Sequence, residues 1–486
     1  MEIGIRKVLG VTPGNIIFQF LSESTLTAFI SLILGLIIVQ AVLPAFNTLV
    51  DSHLLFNFQT IGGIAGYLLL FILITGILSG FYPALYLASF RPQIVLKGKG
   101  VNKPGGKMLR SGLVIAQFVI TICLISAILI IFQQVNFIKN KELGFDANTK
   151  LILPLSSQES STKYETLKNR FLTNAAVKQI TGSNSIPGSP VPNDLLVYKD
   201  GQTMDDGVHI YNNRVDLNFT QVLGLDILSG TSFNDYENDS TTDYIYLNET
   251  ATRLLDIDVA DAPGQYLYFN WEGRKNTYEI KGVVNDIHQF SLHRPIDAMM
   301  YTLGDGKNYD FMTLDVNMTD MQGLVSGLEN EWKEQIAETP FEYYPLTDHL
   351  MRQYDSDFNT FDLIKYFTLI SIIISCLGLY AMSLYMAEKR IKEIGIRKSF
   401  GAGTKEIFSM VSFDLFKLLI IAFLVSLPIT WYFMKSWLDT FAYRVSPSIM
   451  NFIISGLITV AVGWLTVSFQ SMRAAMTNPA SVLKEE

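Results

Sequence analysis

Cysteine is nearly absent: the 486 residues hold two, Cys123 and Cys376. Both fall in long apolar stretches, so no disulfide framework braces the polar part of the chain and the redox state of its compartment leaves no mark. A phosphate-cradling loop is also lacking. The nearest approach to G-x-x-x-x-G-K-[ST], at 100–107, has Val101 in place of the first glycine and Met108 in place of the hydroxyl. That excludes a nucleotide-hydrolysing centre within the chain. Ionisable residues are missing from the middles of the apolar stretches, where ion coupling would leave them. Lys365, Lys417, Glu23 and Asp414 lie near the ends, within reach of water. Any work done by this chain is therefore supplied from outside it.

What is present is a repeat. The opening Met1-Glu2-Ile3-Gly4-Ile5-Arg6-Lys7-Val8-Leu9-Gly10 returns as Lys392-Glu393-Ile394-Gly395-Ile396-Arg397-Lys398-Ser399-Phe400-Gly401, an offset of 391. A second pair, around Pro92 and Pro479, repeats at 387. Two matches at nearly one spacing mean a duplicated unit. Six apolar stretches, at 25–43, 67–87, 113–132, 366–386, 415–433 and 449–467, are near the roughly 20 residues that cross a hydrocarbon core. The fifth is the weakest, interrupted by Pro428. Mean hydropathy is positive, +0.27.

Orientation follows from the basic residues, because short Lys/Arg-rich loops stay in the cytoplasm. Residues 88–110 hold Arg91, Lys97, Lys99, Lys103, Lys107 and Arg110 and no acid, while 44–60 holds neither Lys nor Arg. Residues 387–407 are again rich in basic groups. Threading six crossings through these constraints puts both termini in the cytoplasm and 135–362 outside. That segment carries 17 Lys+Arg against 35 Asp+Glu, so the net −8 of the chain belongs to it. A soluble part this acidic lacks the basic footprint that nucleic-acid binding needs.

Within 135–362, residues 150–155, 244–247, 277–284 and 311–316 read as strands. Residues 249–255, with Asn248 as cap, and 323–336 read as helices. The expected class is an α-helical integral membrane protein of six spans with one large α+β extracytoplasmic domain. The polar stretches 133–141 and 346–362 continue a helical pattern toward the adjoining spans, as stalks would. Asp286, His288 and His293 are close in sequence, but a five-residue separation of the histidines fits no ligand pattern, so a strand followed by a polar turn is expected there. The Pro/Gly/Ser-rich run 183–192 reads as a surface loop. No catalytic, cofactor or metal constellation emerges, which speaks against a membrane-anchored enzyme.

The doubled Glu-Ile-Gly-Ile-Arg-Lys, before a small-residue step at Leu9-Gly10 and Phe400-Gly401, resembles the signature of the FtsX-like, or MacB-like, permeases of ABC transporters. The resemblance extends to the external domain, the spans around it and the terminal Asn478-Pro479-Ala480. It implies four spans per unit, the external domain after the first, and a basic cytoplasmic helix after the second that docks on a separate ATPase. Carried over, Glu393, Ile394, Gly395, Ile396, Arg397 and Lys398 form one docking helix, and Glu2, Ile3, Gly4, Ile5, Arg6 and Lys7 the other. Ile391, Ile394 and Lys398 recur at helical spacing, consistent with an amphipathic segment. The expected organisation is 1–110, the end of a first unit; 111–134, the first span of the second; 135–362, the MacB-like domain; and 363–486, the second permease core. The first copy begins at the docking motif. A counterpart of the stretch from Arg110 to Glu393, placed ahead of it, would make the whole more than half as long again.

The expected partners are a cytoplasmic ABC ATPase, membrane lipid, and a periplasmic adaptor or outer-membrane channel. The expected function is mechanical export of a peptide, lipid-linked or drug-like cargo; the alternative is a transmembrane sensor controlling an extracytoplasmic enzyme or signalling partner. Glu23 and Asp414, aligned at the offset of the repeated motif, are coupling candidates, their rival reading being solvated acids at helix starts.

Overall fold

The computed structural model describes residues 10–50, 53–56, 58–88, 105–233, 242–337, 339–389, 397, 400 and 403–475. Helices α1 (Pro13–Val50), α2 (Phe58–Ala88) and α3 (Gly105–Asn140) come first. The mixed domain follows as β1 (Lys150–Pro154), α4 (Gln158–Thr162), α5 (Tyr164–Phe171), β2 (Val177–Ser183), β3 (Asn193–Lys199), β4 (Val208–Val215), α6 (Phe219–Leu223), β5 (Ile227–Gly230) and β6 (Asp243–Asn248). It continues through α7 (Glu249–Leu254), β7 (Tyr266–Trp271), β8 (Arg274–Val284), β9 (Met299–Leu303), β10 (Phe311–Val316), α8 (Met321–Gln335), β11 (Tyr344–Pro345) and α9 (Leu346–Arg352). Helices α10 (Asp355–Lys389), α11 (Thr404–Leu438) and α12 (Ile449–Ala475) close the chain.

Six of the described helices, α1, α2, α3, α10, α11 and α12, are long and apolar enough to cross a membrane. Each contains one of the six apolar stretches of the sequence. The 38 residues of α1 run about 57 Å, nearly twice the hydrocarbon thickness. The repeat extends to the helix boundaries: α1 begins at Pro13 and α11 at Thr404, separated by the same offset as the repeated motif.

The chain divides into two compact units. One comprises Met1–Thr121, Lys365–Leu424 and Ile458–Glu486. In it, α1 and α2 pack closely at small residues. A Cβ on Gly76 would lie 2.7 Å from the Thr25 backbone, and one on Gly80 equally near the Ser24 hydroxyl. Elsewhere in this unit Thr121 Oγ1 lies 2.7 Å from the hydroxyls of both Ser371 and Ser375, a polar fastening between α3 and α10.

The other unit comprises Ile122–Ile364 and Val425–Leu457. Among the described residues its eleven strands form one sheet in the order β11-β1-β10-β2-β4-β3-β7-β8-β6-β9, with β5 on β8. Because β9 also pairs in parallel with β4, the strands from β4 to β9 close into a ring of six. Val197, Ile210, Ile245, Leu247, Leu267, Ile280 and Met300 belong to one buried apolar cluster of this ring. On the open part of the sheet, α5 and α8 bury Tyr164, Leu167, Leu328 and Trp332 against β1, β2 and β10. All four strands expected from sequence are present, with only small shifts of their boundaries. Asn248 caps α7 by accepting from the Ala251 N–H at 2.9 Å.

One expectation is corrected. The run 183–192, read as a surface loop, is mostly buried: Ser185, Ile186, Ser189 and Val191 are each below a tenth exposed. It is held from inside by Gln289, whose Nε2 donates to the Ile186 and Ser189 carbonyls at 2.8 and 3.1 Å. Its serines and glycine are there to hydrogen-bond and fit, not to meet water.

Candidate functional site

Of the docking motifs, Glu2, Arg6, Lys7, Glu393, Ile394, Gly395, Ile396 and Lys398 lie outside the described residues. Arg397 is helical and exposed. Glu23 and Asp414 each stand well inside their helices, which begin at Pro13 and Thr404. That is about 15 Å along the axis, far beyond the first turn in which a helix dipole favours an acid. The reading of these two as helix-start residues is therefore wrong. Glu23 is exposed on α1.

The described residues bring together a different site, where spans meet the domain. The connection between α11 and α12, residues 439–448, lies along the domain segment that follows β8. The Ala442 N–H donates to the His293 carbonyl at 3.3 Å and the Tyr443 N–H to the Leu292 carbonyl at 3.1 Å. The Leu292 N–H in turn donates to the Tyr354 hydroxyl, just ahead of α10, at 2.8 Å. From α3, the wholly buried Gln134 grips the same connection with both ends of its amide. Nε2 donates to the Tyr443 carbonyl at 3.1 Å, and Oε1 accepts from the Val445 N–H at 2.9 Å.

An apolar cluster lies under these bonds. Ile138 of α3, Leu292 of the domain, Tyr354 and Phe441 of the connection are all nearly sealed from solvent. The His293 ring stacks on Phe441 with centroids 3.9 Å apart, and its Nε2 is 3.6 Å from the Asp357 carboxylate of α10. His288 meets the Tyr443 ring edge-on at 4.7 Å. Burial lowers its pKa to about 4, Lys141 adding to the effect and Asp286 opposing it, so it is neutral at physiological pH. The chain leaving α3 is tied in as well: the His288 N–H donates to the Leu143 carbonyl, and Asn285 Nδ2 to that of Gly144.

Asp286, His288 and His293 thus face different partners, Asp286 accepting from Thr250 and Arg253. Among the described residues no group of three or more His, Cys, Asp or Glu is placed to hold a metal ion. What the arrangement offers is a structural tie. The ends of α3, α10, α11 and α12 are joined to one domain segment through hydrogen bonds that are sheltered from water, and buried polar groups left unpaired there would cost free energy. Sequence reasoning read 133–141 as helical, as it is to Asn140, but gave Gln134 no role. Its one signal is a glutamine pair, Gln133-Gln134, directly after an apolar run.

The FtsX-like permease C-terminal family matches this chain twice, at residues 1–92 and 366–479. The two matches end at Pro92 and Pro479, the second repeat pair. The macrolide export ATP-binding/permease protein MacB of Campylobacter jejuni, in each of two strains, is 37% identical over 92 residues. That stretch is 19% of this chain and 14% of the relative, so the chain spans only a small part of those proteins. Among solved structures, the periplasmic region of MacB from Actinobacillus actinomycetemcomitans aligns over 45% of this chain and 97% of its own, at 12% identity and a TM-score of 0.33. The extracellular domain of the ABC-type transporter YknZ aligns over 40% and 99%, at 14% identity and a TM-score of 0.27. Both copies of the repeated motif lie inside these family matches, and in the two matched segments the chain is similar to the FtsX-like permeases.

Proposed function

We propose that the chain is the membrane subunit of an ABC transporter, turning ATP hydrolysis on a separate cytoplasmic subunit into movement of its extracytoplasmic domain. The observation that carries this reading is the joint: loop 439–448, gripped by Gln134 and hydrogen-bonded to Leu292 and His293. A displacement of α11 or α12 reaches the domain through it. The termini and the Glu-Ile-Gly-Ile-Arg-Lys segments lie in the cytoplasm, where Arg397 and Lys398 meet the ATPase. Residues 135–362 face outward from the inner membrane and push a peptide, lipid-linked or drug-like cargo. Signalling to an extracytoplasmic enzyme would use the same joint. A periplasmic adaptor or outer-membrane channel receives an exported cargo.

The test is charge reversal at the dock. Arg397→Glu with Lys398→Glu should abolish co-purification and stimulation of the partner ATPase, because reversed charges at an interface repel. The other basic residues of 387–407 should still hold the topology. An ATPase that stays bound and stimulated refutes the docking assignment.

A further inference from the structure

We propose that the groove between α1 and α2 is the docking surface for a membrane-spanning helix of a partner protein, one with the small, hydroxyl-bearing face that α3 turns to α11 and α12. The inference needs only that these helices cross a membrane and is independent of ATPase coupling. The groove encloses about 470 Å³, and its lining includes Thr27, Ser31 and Gly35 of α1 and Thr75 and Ser79 of α2.

Such a lining is out of place against lipid. Thr27, Ser31 and Gly35 recur every fourth residue, so they form a ladder of small side chains along one face, the pattern at which membrane helices approach closely. Thr27, Ser31, Thr75 and Ser79 are nonetheless exposed. The Thr27 hydroxyl donates to the Glu23 carbonyl at 2.9 Å, and that of Ser31 to the Thr27 carbonyl at 2.8 Å. Each keeps its accepting capacity for a donor on another helix. A Cβ added to Gly35 would have nothing within 4 Å.

The duplication shows what a face of this kind receives. At the offset of 391, Ser31 corresponds to Ala422 and Gly35 to Ser426. Both counterparts are wholly buried, at 0% exposure. The helix over Ser426 is α3, whose Cys123 Sγ lies 3.8 Å from the Ser426 carbonyl. Three residues on, the Ser126 hydroxyl donates to that of Ser455 on α12 at 2.6 Å. Small side chains of α3 are thus seated against both helices of the second pair, whereas the first pair keeps its ladder open among the described residues. A helix of the α3 kind is the occupant that the repeat specifies. The α1 helix of a second copy would set ladder against ladder, which is not how the second pair is covered.

The probe is a synthetic peptide of residues 105–140, whose one thiol is Cys123. It is mixed in phosphatidylcholine vesicles with the full chain carrying Cys123→Ser, Cys376→Ser and Gly35→Cys, and the thiols are oxidised with copper phenanthroline. Because Gly35 is the counterpart of Ser426, the peptide should be joined to the chain, at least tenfold more than when Leu34→Cys, on an exposed face of α1, replaces Gly35→Cys. Ser31→Leu, which fills the ladder, should cut the yield tenfold or more, and Ile33→Leu should not. Ser31 is exposed and Gly35 has room for a side chain, so neither variant depends on repacking a core. The proposal falls if Gly35→Cys captures the peptide no better than Leu34→Cys, or if Ser31→Leu leaves capture unchanged. It falls equally if the chains join chiefly to one another, which would make a second copy the occupant. A failure here leaves the dock and the joint untouched.

Discussion

His288 shows how one side chain sets a pH limit on the joint. Burial against Tyr443 lowers its pKa to about 4, from an ordinary value near 6.5. Between those values the unfolded chain binds the proton and the folded one does not, so stability rises with pH. The contribution is whole above about 6.5 and is lost as pH falls toward 4. Thermal melts of the full chain from pH 7 to 4 should therefore show a falling midpoint that is flatter for His288→Gln; identical slopes would deny His288 this part. Gln134 is the complementary case, neutral at every pH. Gln134→Leu leaves the Tyr443 carbonyl and the Val445 N–H without partners, at roughly 1–3 kcal/mol for each group that stays buried. Amide exchange at 443–445 should rise accordingly, and unchanged protection would mean the grip is incidental. Neither role was legible in the sequence. The groups that His288 and Gln134 answer to, Tyr443 and Val445, come only after the whole of α10 and α11 has intervened, and half of the joint is backbone, which has no letter in a sequence.

At the scale of elements, legibility tracked physical uniformity. The spans could be read because a hydrocarbon core demands an unbroken apolar run, and α7 because Asn248 stands at its start. Strand β4 escaped because Asn212 and Asn213 interrupt its alternation. Asn213 is buried, exchanging two 2.9 Å hydrogen bonds with the backbone of Ser185, the very loop that sequence placed at the surface. In β2 the concealing residue is Gly182, where a Cβ would strike the rings of Tyr309 and Tyr164. The glycines of α2 divide in the same way. Gly76 abuts the Thr25 backbone, whereas Gly66 has nothing within 4 Å of an added Cβ. Gly463, the counterpart of Gly76 at the offset of the second repeat pair, is likewise crowded, by Leu419 of α11. Gly76→Val should thus destabilise the α1–α2 hairpin by roughly 1–3 kcal/mol, the usual cost of overpacking. Gly66→Val should not. Unfolding in detergent, followed by circular dichroism, separates the two, and equal behaviour would mean that α1 and α2 do not pack at Gly76.

For the whole molecule, we propose that force enters at the repeated basic motif and leaves through the joint. An acidic domain and basic segments suit a protein with a different partner at each face, and the doubled Glu-Ile-Gly-Ile-Arg-Lys offers two candidate points of entry. Asp414, at the position that both copies keep acidic, is proposed to lie on the path between entry and exit. Asp414→Asn should leave ATPase binding intact while reducing the movement passed on; undiminished movement would remove both Asp414 and Glu23 from the path. The most direct measurement is hydrogen exchange on the permease reconstituted with its partner ATPase, with and without ATP, in the native chain and in Gln134→Leu. In the native chain, ATP should change exchange at 288–293 and 440–445 together. In Gln134→Leu the change should persist at 440–445 and vanish at 288–293. No response to ATP at 288–293 in the native chain, or an undiminished one with the grip removed, would contradict transmission through this joint.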